Sequence, residues 1–294
     1  MNELDCANKK RNGIELAIVA AVLLRSETEQ WRRKPEPRKA RRQLCWRNSN
    51  KNFKNYVIMN ASFFYKREKN MERKEIAKFI DHTQLSACAT ESDIKKLCEE
   101  AVKYGFASCC VNPVYVPFAA EILRGSGVKV CTVIGFPLGA NSIDDKASQA
   151  AMCVSEGADE VDMVVNLGAV KDRRWEDVFE EIYAVRCAID DVDCGENKKI
   201  VEKVILETCY LTDEEIVTVC EKAKEAGADF VKTSTGFGTG GASVHAVELM
   251  RKTVGKDMGV KASGGIRTFE DAVAMLDAGA NRLGCSAGVK IVEG

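Results

Sequence analysis

The chain has 294 residues, of which 46% are hydrophobic and 30% charged, the balance of a globular protein rather than of a chain disordered throughout. That length allows one large α/β domain or two smaller ones. The net charge of −1 hides a division: residues 1–70 hold 17 Lys and Arg against 7 Asp and Glu, and everything after them is acidic.

The basic segment comes first in the chain. Its apolar run LAIVAAVLL (16–24) is too short to span a bilayer. It would suit the hydrophobic part of a signal peptide, but the highly charged RSETEQWRRKPEPRKARR follows it instead of a small-residue cleavage site. Such a basic run more often makes a solvated tail than a nucleic-acid site, so no nucleic-acid partner is expected. Residues 1–70 are expected to be a disordered tail, or an extension placed ahead of a true start at Met71, and residues 71–294 to form the folded domain. Thirteen cysteines without a Cys-x-x-Cys pair, and only two histidines, His82 and His245, read as reduced thiols of a cytoplasmic protein with no metal site.

From residue 76 onward short apolar runs alternate with amphipathic helical patterns. The strand candidates in chain order are KFIDHT (78–83), FASCCVN (106–112), VKVCTVIGF (128–136), EVDMVVN (160–166), KVILET (203–208), FVKTS (230–234), GVKASG (259–264) and RLGCS (282–286). Helical patterns fill the intervals, three of them opening on a Thr-x-x-acid capping pattern: Thr90 with Asp93, Thr212 with Glu215 and Thr268 with Asp271. Gly105, Gly157, Gly227 and Gly279 close helices immediately before strands two, four, six and eight. Eight strands each leading to a helix predict a (β/α)₈ TIM barrel. A doubly wound sheet is the alternative, but no Gly-x-Gly-x-x-Gly follows the first strand.

Strand alternation then gives the polar residues a purpose. Lys232 shares a face with Phe230 and Ser234, Lys261 with Ser263, Asp162 with Val164 and Asn166, and Asp81 with Thr83. Turned inward, these faces collect two lysines and two aspartates inside one barrel. Two ammonium groups about 4 Å apart repel by roughly 4 kcal/mol at an effective dielectric of 20, which favours a free, nucleophilic amine on one of them. A lone strand lysine usually reaches solvent or a carboxylate. Two on adjacent strands at matching parity, with Asp162 inside, point to Schiff-base chemistry. The glycine-rich stretches TGFGTGG (235–241), SGGIRTFEDA (263–272) and GCSAG (284–288) follow strands six, seven and eight, where barrels often hold phosphate. No Gly-Lys-Ser/Thr is present among them, so a sugar phosphate is a better expectation than a nucleotide.

Five stretches in order, IDHT (80–83), EVDMVVN (160–166), FVKTSTGF (230–237), VKASGGIRT (260–268) and RLGCSAGVKIV (282–292), closely resemble deoxyribose-phosphate aldolase. The resemblance implies a metal-free class I aldolase, without cofactor, that interconverts 2-deoxy-D-ribose 5-phosphate with glyceraldehyde 3-phosphate and acetaldehyde. It implies Lys232 as the Schiff-base lysine, Lys261 as the group that tunes it and Asp162 as the proton relay. It places Gly236, Gly264, Gly265 and Ser286 at the phosphate, Asp81 and Thr83 near the substrate, and Cys110 at the mouth end of strand two. Some relatives carry two serines after strand eight, where this chain has Ser286 and Ala287. Relatives also imply a homo-oligomer, a dimer or larger. A barrel acting on another sugar phosphate, or binding one without catalysis, remains the competing reading.

Overall fold

The computed structural model describes residues 72–195 and 199–294. The expectation for residues 1–70 lies outside the described residues. The domain opens with a short helix, α1 (Arg73–Ile76), and β1 (Ile80–Gln84). Then follow α2 (Glu91–Tyr104), β2 (Ser108–Val111), α3 (Val116–Leu123), β3 (Lys129–Ile134), α4 (Ile143–Ser155) and β4 (Glu160–Val164). The second half contains α5 (Leu167–Lys171), α6 (Trp175–Asp190), β5 (Val201–Ile205), α7 (Asp213–Glu225) and β6 (Phe230–Lys232). It closes with α8 (Val244–Val254), β7 (Gly259–Ser263), α9 (Phe269–Asp277), β8 (Arg282–Cys285) and α10 (Gly288–Glu293).

The eight strands are parallel and close in sequence order, with β8 returning to pair with β1 through Asp81 opposite Gly284. The predicted TIM barrel is the observed fold. Helix-facing strand residues such as Cys109, Val161, Met163, Val204, Val231, Val260 and Leu283 are fully buried against the surrounding helices and form the main apolar core. All three predicted Thr caps form reciprocal capping boxes. The four helix-ending glycines all have positive φ. No helix among the described residues is long and apolar enough to cross a membrane.

Several strand boundaries differ from the sequence reading. Lys78 and Phe79 belong to a 3-10 turn, so β1 begins at Ile80. The β5 strand starts earlier, at Val201, while β6 ends at Lys232. Five-residue α5 is too short to show a helical period, and it forms because the Asn166 side chain accepts from the Ala169 N–H at 3.1 Å.

Beside Lys203 on β5, Glu202 points the opposite way, into the helix layer. It is fully buried, and among the described residues neither carboxyl oxygen has a hydrogen-bond partner. Burial pushes its carboxyl up to about 8, opposed by the Arg186 guanidinium and reinforced by Asp229 and Asp190. The folded state thus keeps a proton that the unfolded chain releases. Stability on this account is full below about pH 4.5 and falls as pH rises through about 8, by up to about 5 kcal/mol. Thermal melts of Glu202→Gln should lose less stability than the parent between pH 5 and pH 8.5. Equal losses in both proteins would contradict this account.

Candidate active site

The strand register decides which interior side chains meet. Lys203 stands directly opposite Asp162, Lys232 opposite Lys261, and Lys261 opposite Arg282. Because their strands run parallel and all present these residues to the interior, three ammonium groups converge on one carboxylate. Asp162 Oδ1 accepts from Lys203 Nζ at 2.7 Å, and Asp162 Oδ2 accepts from Lys232 Nζ at 2.8 Å and Lys261 Nζ at 2.7 Å. Asp162, Lys203 and Lys261 have no solvent exposure, and Lys232 is 3% exposed. Of the three lysines, only Lys232 keeps any solvent exposure.

A second carboxylate sits on the far side of Lys261. Asp81 Oδ2 lies 2.5 Å from Lys261 Nζ, while Oδ1 accepts from Ser108 Oγ at 2.7 Å and from Arg282 Nε at 2.8 Å. Arg282 also pairs with Glu160, whose other oxygen is 2.6 Å from Lys203 Nζ. The interior therefore holds four cationic side chains against three carboxylates: Lys203, Asp162, Lys261, Asp81, Arg282 and Glu160 close a ring of ion pairs, and Lys232 joins it at Asp162. Burial pushes the Asp162 carboxyl up, but Lys203, Lys232 and Lys261 together hold it well below the usual carboxylate range. Burial likewise raises Asp81, yet Lys261, Arg282 and Lys203 bring it down to about 2. Burial works against the Lys261 and Lys203 ammoniums, and the adjoining carboxylates, Asp162 foremost, outweigh it and carry both above the ordinary lysine range. Lys261 and Lys203 thus stay charged at neutral pH, beside an Asp162 that is ionised in the resting site.

Space is shaped as closely as charge. A Cβ on Gly284 would lie 3.1 Å from Lys261 Cε, so a glycine there leaves room for the lysine to cross the barrel. Cys110 is fully buried on the interior face, in register with Cys131, and groups with Leu85, Val133 and Phe136 in a small apolar wall. The Cys131 thiol lies 3.3 Å from Asp162 Oδ1. Thr83 donates its hydroxyl to its own strand, to the Asp81 carbonyl at 2.8 Å.

The loops after β6 and β7 meet at the same end of the barrel. Ala242 N–H donates to the carbonyls of Ser263 and Gly264 at 3.0 Å. A Cβ on Gly241 would fall 2.3 Å from the Gly264 carbonyl oxygen, and one on Gly264 would fall 3.5 Å from Gly236 Cα. Gly236 and Gly264 are therefore neighbours across the two loops, while Gly265 and Ser286 are exposed in the turns after β7 and β8.

Residues 76–294 match the model for a DeoC/LacD family aldolase. The chain belongs to this family. It is 59% identical over 220 residues to the deoxyribose-phosphate aldolase of Carboxydothermus hydrogenoformans, an alignment covering 75% of this chain and 95% of that protein. Among solved structures, a putative deoxyribose-phosphate aldolase from Coccidioides immitis superposes with a TM-score of 0.71 at 50% identity, covering 76% of this chain and 86% of the other. A tetrameric deoxyribose phosphate aldolase from Aeropyrum pernix gives 0.67 at 36% identity, covering 76% and 91%.

In this DeoC/LacD aldolase the residues singled out from sequence fall into two groups. Lys232, Lys261, Asp162 and Asp81 come together in the ion network, with Cys110 and Thr83 at its margin. Gly236 and Gly264 lie in the adjoining loops, and Gly265 and Ser286 in the turns beyond. Four participants escaped the sequence reading: Lys203, Glu160, Arg282 and Cys131. Lys203 carried a usable signal, a cation on the same strand face as Ile205 in an otherwise apolar run. The other three are set by the barrel's stagger, which only the register reveals.

Proposed function

We propose that the barrel catalyses reversible aldol cleavage of 2-deoxy-D-ribose 5-phosphate to glyceraldehyde 3-phosphate and acetaldehyde, through a Schiff base on Lys232. The observation that carries this reading is the sharing of one Asp162 oxygen by Lys232 and the fully buried Lys261. Lys232, as the free amine, attacks C1 of the open-chain sugar, and loss of water leaves an iminium. The iminium draws the electron pair of the C2–C3 bond as the 3-hydroxyl gives up its proton, so glyceraldehyde 3-phosphate departs and an enamine remains. Protonation at C2 followed by hydrolysis releases acetaldehyde and returns the lysine. Asp162, 2.8 Å from the amine, is placed to receive and return protons, and Lys261 and Lys203 hold it ionised between turnovers.

The phosphate is assigned to the N–H groups of Gly236, Gly264 and Gly265 and to the Ser286 hydroxyl, with Asp81 and Thr83 on the sugar side and Cys110 in the wall beside them. The meeting of the β6 and β7 loops supports this reading, since exposed glycine N–H groups suit an anion. Residues 71–294 are proposed to carry the activity, in a cytoplasmic homo-oligomer; free thiols at every described cysteine suit that compartment. The test is acetaldehyde release, read by coupled NADH oxidation with alcohol dehydrogenase, from deoxyribose 5-phosphate and from a panel of other sugar phosphates. Release from deoxyribose 5-phosphate alone is expected. Folded protein that yields no acetaldehyde would overturn the reading.

A further inference from the structure

Beyond the ion network lies another buried carboxylate that the chemistry above leaves unused. Glu207 follows β5 by two residues and is 2% exposed. Its backbone occupies the left-handed region, with φ 54 and ψ 60, a conformation that a residue with a side chain adopts only when its surroundings impose it. Flanking ladder bonds hold it there: Leu206 N–H donates to the Lys232 carbonyl, and Thr208 N–H to the Thr233 carbonyl, both at 2.9 Å.

The turn aims the carboxylate under the loop that follows Lys232. Thr235 N–H donates to Glu207 Oε1 at 3.3 Å and to Oε2 at 3.2 Å, and the Thr235 hydroxyl donates to Oε2 as well. Thr235 Oγ1 in turn accepts from Phe237 N–H at 3.0 Å. The loop then runs closely over the carboxylate, since a Cβ on Gly238 would lie 3.0 Å from Glu207 Cδ. Residues 236–241 read GFGTGG, and a segment so rich in glycine has much conformational freedom to lose. It is pinned at Thr235 by Glu207 and at Ala242 by the carbonyls of Ser263 and Gly264. Between the pins stands Gly236, the residue whose N–H is assigned to the phosphate.

We propose that Glu207 is a positioning residue for phosphate recognition: it clamps Thr235 so that Gly236 presents its N–H to the substrate's phosphate beside Gly264. This rests on the phosphate assignment given under the proposed function. A clamp of this kind acts on binding of the phosphorylated end and leaves the Lys232 chemistry alone.

The experiment compares the full chain with Glu207→Ala, Glu207→Gln and Thr235→Val on deoxyribose 5-phosphate and on unphosphorylated deoxyribose. Inorganic phosphate binding is measured by calorimetry alongside. For Glu207→Ala, KM for the phosphorylated sugar should rise about tenfold or more with kcat within about threefold, while kcat/KM for deoxyribose holds within about twofold. Thr235→Val should shift in the same direction, and Glu207→Gln, which keeps one acceptor, should fall between. Equal losses on both substrates would reduce Glu207 to a general structural role and overturn the proposal. So would an unchanged KM, and Thr235→Val alone decides the matter if Glu207→Ala does not fold. Absence of acetaldehyde release by the parent protein would overturn the aldolase reading instead. Weaker phosphate binding by the variants would still report the clamp.

Discussion

Lys232→Ala is expected to lower kcat for cleavage by at least about 10⁴-fold and to abolish covalent trapping by borohydride. Incubation of the parent protein with acetaldehyde and borohydride, followed by peptide mass spectrometry, should place a single reduced adduct on Lys232. The expectation turns on access and charge together. Three lysines contact Asp162, but Lys203 and Lys261 are wholly enclosed and fixed as ammonium groups by more than one carboxylate. Among the described residues Lys232 makes its single ion pair with Asp162, and it retains slight exposure. In Lys261→Leu the adduct should form more slowly but at the same site, because that change removes a neighbouring charge and leaves the nucleophile. An adduct on Lys261 or Lys203 in the parent protein would reassign the nucleophile and sink the mechanism.

Strand count, parity and the pairing of neighbouring strands were enough to place Lys232 beside Lys261 and Asp162 inside the barrel. What parity could not supply was height within the barrel. Sequence reading treated the two lysines as a repelling pair, whereas the register sets Asp162 at a level where one oxygen bridges both. Lys203 went unread because it stands at the start of a pattern, where a cation ordinarily reaches solvent, yet β5 begins two residues earlier and encloses it. Arg282 looked like a boundary residue for the same reason. Its guanidinium turns inward to join Asp81 and Glu160, carboxylates from β1 and β4 that are distant in sequence. The glycine loops were legible as flexible, anion-suited turns. Their anchoring by Glu207 was not, since nothing in KVILET marks the left-handed turn at its glutamate.

Asp162→Asn carries the largest combined penalty, because the same carboxylate serves the chemistry and the fold. The substitution leaves three ammonium groups facing an uncharged amide in a closed interior, and removing one partner of a buried ion pair costs about 3–5 kcal/mol. Denaturant titration should show a loss of that order, together with near-complete loss of cleavage. The pH dependence separates the variant from the parent. In the parent the Asp162 carboxyl is held far below its unfolded value, so its contribution is present above about pH 3.8 and is lost as pH falls toward the lowered folded value. Asp81, held at about 2, behaves in the same way. The parent should therefore lose stability steeply below pH 4, and Asp162→Asn less steeply, because one of the two carboxylates no longer titrates. The double change Asp162→Leu with Lys203→Met removes a cation along with the anion and replaces both with apolar volume. It should recover part of the lost stability and none of the activity, a separation expected if the interior charges are retained for catalysis. Recovery of activity along with stability would mean that Asp162 only holds the barrel together.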